Sequence, residues 1–142
     1  VGTFISSEVS IGFDGLLNFY DNRELVVDTQ LEQSFLEHMK WGNSRLGAHP
    51  YVVKADASLT ERVAQTDMVR GITIACPGFY GPQGRVVRLN LADAQQNEKI
   101  MSFEYKGSKL TNFEMESSAI AGLSKLLGHK ASTVSTTQSC FS

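Results

Sequence analysis

A chain of 142 residues, 42% hydrophobic and 20% charged, has the size and composition of one ordinary globular domain. Thirteen Lys and Arg stand against fifteen Asp and Glu, mixed along the chain for a net charge of −2, so the basic excess of a nucleic-acid surface is absent. No run of about 18 apolar residues offers a membrane span, and the opening VGTFISSEVSIG lacks the basic start and apolar core of a signal peptide.

Residues 1–6 are apolar and partly β-branched and read as a strand. GFDGLLNFYDN, bounded by turn residues, reads as a loop with a short helical piece. The spacing of Leu31, Phe35 and Met39 predicts a helix over 28–41, with Asp28 or Thr29 as its cap. His49 and Pro50 interrupt the chain before a short strand at 51–54. Ser58, with Glu61 three residues later, predicts a capped helix to about residue 65. VRGITIA at 69–75 reads as a buried strand, and CPGFYGPQG as the irregular loop after it. RVVRL at 85–89 suggests another strand, 92–105 a helix and 106–109 a turn. The best helical pattern spans 114–127, stopped by Gly128, and a last strand is expected over 131–136. Strands alternating with helices predict an α/β fold with a mixed central sheet flanked by helices. Ligands in such sheets bind beyond the carboxyl ends of the strands.

The loop after VRGITIA holds chemistry suited to a flat heterocycle. Glycines and a proline fix an irregular backbone around Phe79, Gln83 and Arg85. Phe79 can stack on a ring, Gln83 can both accept and donate, and Arg85 can only donate. A uracil edge, carbonyl oxygens flanking an N–H, matches that set. A tight surface turn with a partly buried aromatic accounts for the residues equally well.

In TNFEMESSAIAGL, a stripe of Ala119, Ile120, Leu123 and Leu127 carries Glu116 onto the buried side of the predicted helix, and Glu114 onto a more polar side. A carboxylate held among helix N–H groups is a good acceptor for vicinal hydroxyls. Acidic residues are also favoured in any first helical turn, with no further role.

Phe79, Gln83 and Arg85 in aromatic-x-x-x-Gln-x-Arg spacing, followed by Asn112, Phe113, Glu114, Met115 and Glu116, resemble the uridine phosphorylase branch of the nucleoside phosphorylase family. The likeness runs from the FDGLLNFY region to about Val134. It implies a phosphorylase/hydrolase-like sheet, with residues 1–142 as the C-terminal portion of one domain, incomplete at both ends. It implies that Gln83 and Arg85 bind the uracil edge and stabilise the departing base as catalytic groups, with Phe79 and Phe113 completing the base pocket. Glu114, Met115 and Glu116 would line the ribose site, Glu116 accepting from the 2′ and 3′ hydroxyls. The implied reaction is phosphorolysis of uridine to uracil and ribose 1-phosphate, with phosphate as co-substrate and no cofactor or metal. The implied protein is a cytoplasmic homo-oligomer, dimer or hexamer, without nucleic-acid or membrane partners.

The family's phosphate-site arginines and its partner-lent His find no counterpart here, so the chain is expected to be a partial or inactive form. Val1 reads as the interior of a longer protein, or as a processed start. His38, His49 and His129 read as structural or surface residues, and Cys76 and Cys140 as reduced thiols of a cytosolic protein. The absence of an acidic residue after Glu116 favours the pyrimidine branch over a purine-type phosphorylase or nucleosidase. A non-catalytic nucleoside-binding remnant and an unrelated α/β domain stay open, and the ending STTQSCFS departs from the family pattern.

Overall fold

The first strand sets the architecture. In the computed structural model, which describes residues 2–42, 46 and 49–137, β1 (Thr3–Gly12) is ten residues long and forks its partners along one edge. Residues Thr3 to Ser7 pair antiparallel with β6 (Thr133–Thr137), and Val9 to Gly12 pair antiparallel with β2 (Tyr51–Lys54). The other edge pairs in parallel with β3 (Val69–Ala75), with a register shift between Ser7 and Val9 that lets one strand serve both halves. Beyond β3 lies parallel β5 (Ser108–Glu114), and then β4 (Glu104–Tyr105), antiparallel at the edge. The sheet is therefore mixed, as the alternation of elements predicts.

Among the described residues four α-helices flank it: α1 (Thr29–Met39), α2 (Ala57–Val63), α3 (Gln96–Ser102) and α4 (Ser117–Leu126). Strand alternation sorts the side chains into two cores. Ile11, Val52, Ile72 and Ile74 join Leu31, Phe35 and Met39 of α1 and Ile100 of α3 on one face. There Phe35 meets Phe103 edge-on, centroids 5.2 Å apart at 89°. Tyr51 and Val53 pack with Leu17 and Ala121 on the other.

The predicted strand at 1–6 runs on to Gly12. Its serines disguised it: Ser6, Ser7 and Ser10 are all buried, and Ser7 Oγ lies 2.7 Å from Thr73 Oγ1 on β3. Helix α2 is capped by Asp56, whose Oδ1 accepts from the Leu59 amide at 2.8 Å, and not by Ser58, whose hydroxyl donates to that same carboxylate. Glu61 is no capping-box partner; it pairs with Arg70 at 2.9 Å.

The largest corrections fall between 85 and 117. RVVRL forms no strand. The place beside β3 that it would need is taken by β5, and Val86, Val87 and Leu89 stand 61%, 71% and 84% exposed. The helix expected over 92–105 is only α3, because β4 turns back through Lys106 and Gly107, both at positive φ, into β5 as a hairpin. The helix expected from 114 begins at Ser117, and its buried face is small: Ser117, Ser118, Ala121 and Gly122. A Cβ on Gly122 would sit 2.4 Å from Leu17, so α4 lies too close to the turn after β1 for any larger residue there. Ile120 and Leu127, assigned to the buried stripe, are 50% and 71% exposed. Cys140 and residues 138–142 of the tail lie outside the described residues; residues 135–137 end β6.

Candidate functional site

The carboxyl ends of β1, β3 and β5 point the same way and stay bonded past the strands. The Phe13 amide donates to Ala75 O at 2.9 Å, and the Cys76 amide to Glu114 O at 2.8 Å. The loops leaving β3 and β5 therefore start side by side.

In the β3 loop, Pro82 seeds one 3-10 turn over Gly81–Gln83, and Gly84 at φ 72° reverses the chain. Tyr80 O accepts from both the Gln83 and Arg85 amides, at 3.0 and 2.9 Å. This fold-back gathers three residues named from the sequence. The Arg85 guanidinium carbon lies 4.2 Å from the Phe79 ring centroid. Its Nε donates to Phe79 O at 3.1 Å, and an Nη donates to Gln83 Oε1 at 3.4 Å. Gln83 is buried, whereas Phe79 is 52% exposed. A buried amide, a guanidinium and a half-exposed aromatic ring, with the guanidinium over one face of that ring, thus form one unit.

At the end of β5, Asn112 is a sheet residue. Its Oδ1 accepts from Thr73 at 2.7 Å and from Thr111 at 3.1 Å in a buried network. Phe113 is half-buried against the larger core. Glu114 closes the strand and caps α4: one carboxylate oxygen accepts from the Glu116 and Ser117 amides, both at 2.8 Å, and the other from the Ser117 hydroxyl at 2.5 Å. Met115 and Glu116 form the exposed turn between strand and helix. Glu116 is thus at the helix start as expected but not on a buried stripe, and the argument from desolvation does not apply to it. Its own side chain makes no capping bond.

A group the sequence reading passed over sits at the end of β1. Asp14 accepts from the Leu16 amide at 2.7 Å and from Tyr51 Oη at 2.8 Å, with the Ser118 hydroxyl at 3.3 Å. Burial is the main reason the Tyr51 hydroxyl is held well above its ordinary value. An Asp-Gly pair directly after an apolar strand was the signal for this group.

Burial also pushes the neighbouring Cys76 thiol up to about 12, helped by the charges of Glu114 and Asp14. The thiol donates to Pro82 O at 3.4 Å. Native protein at pH 8 is expected to leave Cys76 unmodified by iodoacetamide, since the thiolate is the reactive form. Mass spectrometry of the intact and the urea-unfolded protein checks this; modification of Cys76 in the folded state contradicts it.

Behind the loop opens a cleft of about 670 Å³, walled by Phe13, Trp41, Tyr80, Arg85, Leu89 and Gln96. Of the residues singled out from the sequence, only Arg85 lines it. The segment over the cleft is tied down by Asp93, which accepts from Lys99 Nζ at 2.7 Å and from Trp41 Nε1 at 3.0 Å. The Lys99 ammonium, chiefly, and the Trp41 bond hold the Asp93 carboxyl below its usual 3.8. A lowered folded value means a contribution to stability that is present above the unfolded value and lost as pH falls through the folded one. The stability gap between the protein and Asp93→Asn is expected to be constant above about pH 5 and to close below about pH 4. Urea unfolding across that range measures it, and a gap unchanged at pH 3 contradicts it.

His38 Nε2 lies 2.7 Å from Lys99 O, its ring edge-on to Phe103, and His49 O accepts from Asn18. Among the described residues, no three His, Cys, Asp or Glu side chains group to hold a metal, and no helix is long and apolar enough to cross a membrane.

No protein-family model and no curated protein sequence matches the chain. In three dimensions it is similar to a nucleoside phosphorylase from Trypanosoma brucei whose crystal structure is described as showing uridine phosphorylase activity. The TM-score is 0.76 at 22% identity, over 94% of this chain and 47% of that one. The chain thus spans about half the length of that structure. At that identity the likeness speaks for architecture, and the mixed sheet with its flanking helices is a nucleoside phosphorylase fold.

Proposed function

We propose that this chain carries the nucleoside-binding half of a uridine phosphorylase-type site and serves the phosphorolysis of uridine. One observation supports this most: Phe79, Gln83 and Arg85 form a single unit in the loop after β3, and that loop starts beside the end of β5, from which the Met115–Glu116 turn leaves. In this reading uracil stacks on Phe79, while Gln83 and Arg85 direct donors at its carbonyl oxygens. Phe113 supports the base side and Met115 packs on the sugar. Glu116 accepts from the ribose hydroxyls, and Glu114 serves that site by holding the turn.

The chemistry would be displacement at the anomeric carbon. The bond from C1′ to N1 breaks and its electron pair leaves with uracil. A phosphate oxygen forms the new bond to C1′, giving ribose 1-phosphate. Preorganised donors beside the uracil oxygens lower the barrier because charge develops there, and fixing the sugar supplies orientation. We assign phosphate binding to residues other than these, and so propose that the chain alone is a partial or inactive form. The same reading makes the enzyme a cytoplasmic homo-oligomer.

The test is uridine binding by calorimetry, with uracil release followed with and without phosphate. Uridine is expected to bind, with Gln83→Ala and Glu116→Ala each weakening it roughly tenfold, and no release is expected. Phosphate-dependent release lost in both variants would keep the site and overturn the inactivity. Release without phosphate would mean a hydrolase, and binding of inosine in preference to uridine a purine-type site.

A further inference from the structure

Three successive carbonyls of the β3 loop are held from outside by two side-chain amides that the function above does not use. Gln96 Nε2 donates to Pro82 O at 2.9 Å and reaches Gly81 O at 3.5 Å. Asn97 Nδ2 donates to Gln83 O at 3.2 Å. Both amides come from the start of α3, which has no side-chain cap of its own. Gln96 is 5% exposed and Gln83 6%, so the clamp and the residue it holds are buried together.

Two further features show that the donor side of these amides is what the loop uses. Among the described residues, Asn97 Oδ1 is buried with no hydrogen-bond partner. Turning the amide over would satisfy nothing: it would set that oxygen against Gln83 O and leave both acceptors unpaired. The unpaired oxygen is the cost of directing the N–H at the loop. The loop also approaches so closely that a Cβ on Gly84 would fall 2.1 Å from Asn97 Oδ1, so the contact is between backbone and amide with no side chain between. Gln83 is then fixed twice, its main chain by Asn97 and its side-chain oxygen by Arg85.

We infer that Gln96 and Asn97 are positioning residues for base selectivity, acting through Gln83. This rests on the nucleoside reading above. Held in place, the Gln83 and Arg85 donors favour a base whose 4-position is a carbonyl over one whose 4-position is an amine. Released, the loop would bind either base weakly through stacking on Phe79.

The test compares uridine with cytidine by calorimetry on the protein, Gln96→Met and Asn97→Leu, substitutions that keep size and remove the donors. Each variant is expected to lose roughly five- to tenfold in uridine affinity with cytidine affinity unchanged. Adding Gln83→Ala to either should cost nothing further, since both act on one contact. Equal weakening of uridine and cytidine, or full additivity with Gln83→Ala, overturns the inference. Amide hydrogen exchange at Gly84 and Arg85, read on the same variants, separates this from the nucleoside reading. Exchange about tenfold faster, on the same estimate of one lost hydrogen bond, supports the clamp. Exchange unchanged from the parent overturns it. A parent protein that binds neither nucleoside sinks the nucleoside reading and base selectivity with it, and exchange then decides the clamp alone.

Discussion

Glu114→Ala is expected to destabilise the protein by about 3 kcal/mol and to weaken uridine binding more than tenfold. Three donors converge on this carboxylate: the amides of Glu116 and Ser117 and the Ser117 hydroxyl. Bonds to a charged acceptor contribute more than neutral ones, and their loss strands amides at the start of α4 where no other cap is in place. Ser117 is buried, so its hydroxyl cannot turn to water instead. The ligand effect follows from place. The same three bonds fix the only two residues between β5 and α4, Met115 and Glu116. Glu114→Gln keeps an acceptor oxygen and should recover about half the stability. Urea unfolding and calorimetry report the two quantities separately. A variant that loses stability yet binds uridine as the parent does would show that the turn needs no help from Glu114.

The outcome at 85–117 explains what the sequence could and could not reveal. The spacing of Phe79, Gln83 and Arg85 is local, and one fold-back of the chain brings such residues together, so it was legible. β5 was not. Glu, Met and Ala raise helix propensity through NFEMESSAIA, and Asn is a residue type depleted in strands. In the sheet the Asn112 side chain is satisfied by Thr73, 39 residues away, which no local pattern contains. RVVRL fails in the opposite sense: its β-branched residues favour a strand, but strand propensity counts only where an edge is free, and β5 holds that edge. Glu116 moved from a buried stripe to an exposed turn because β5 runs to Glu114 and α4 starts only at Ser117. The face of α4 that lies closest to Leu17 carries Gly122, with Leu123 partly buried against the same small core. The clamp by Gln96 and Asn97 was hidden because it addresses carbonyls, which every residue has.

Arg23→Met is expected to destabilise the protein by about 3–5 kcal/mol, although Arg23 lies in a surface turn. This arginine follows Asn22, in a 3-10 turn over Arg23–Leu25, and is only 9% exposed. Its Nη2 meets Glu32 Oε1 on α1 at 2.5 Å, its Nε donates to Asn18 Oδ1 at 2.7 Å, and Glu32 Oε1 also accepts from the Val52 amide of β2 at 3.3 Å. One ion pair thus ties the loop after β1 to α1 and β2. Removing the arginine leaves the Glu32 carboxylate, with a side chain 7% exposed, without a counter-charge among the described residues. The cost of the single variant is therefore mostly that of an uncompensated buried charge and not the net worth of the pair. The double variant Arg23→Met/Glu32→Met separates the two, since an apolar pair of similar size removes both charges together, and should lie within about 1–2 kcal/mol of the parent. Urea unfolding of the two single variants and the double gives the cycle. If the double is as unstable as the singles, the pair itself holds the turn against the sheet. Additive losses would mean that the two charges are not coupled, and the short contact between them would then carry no stability.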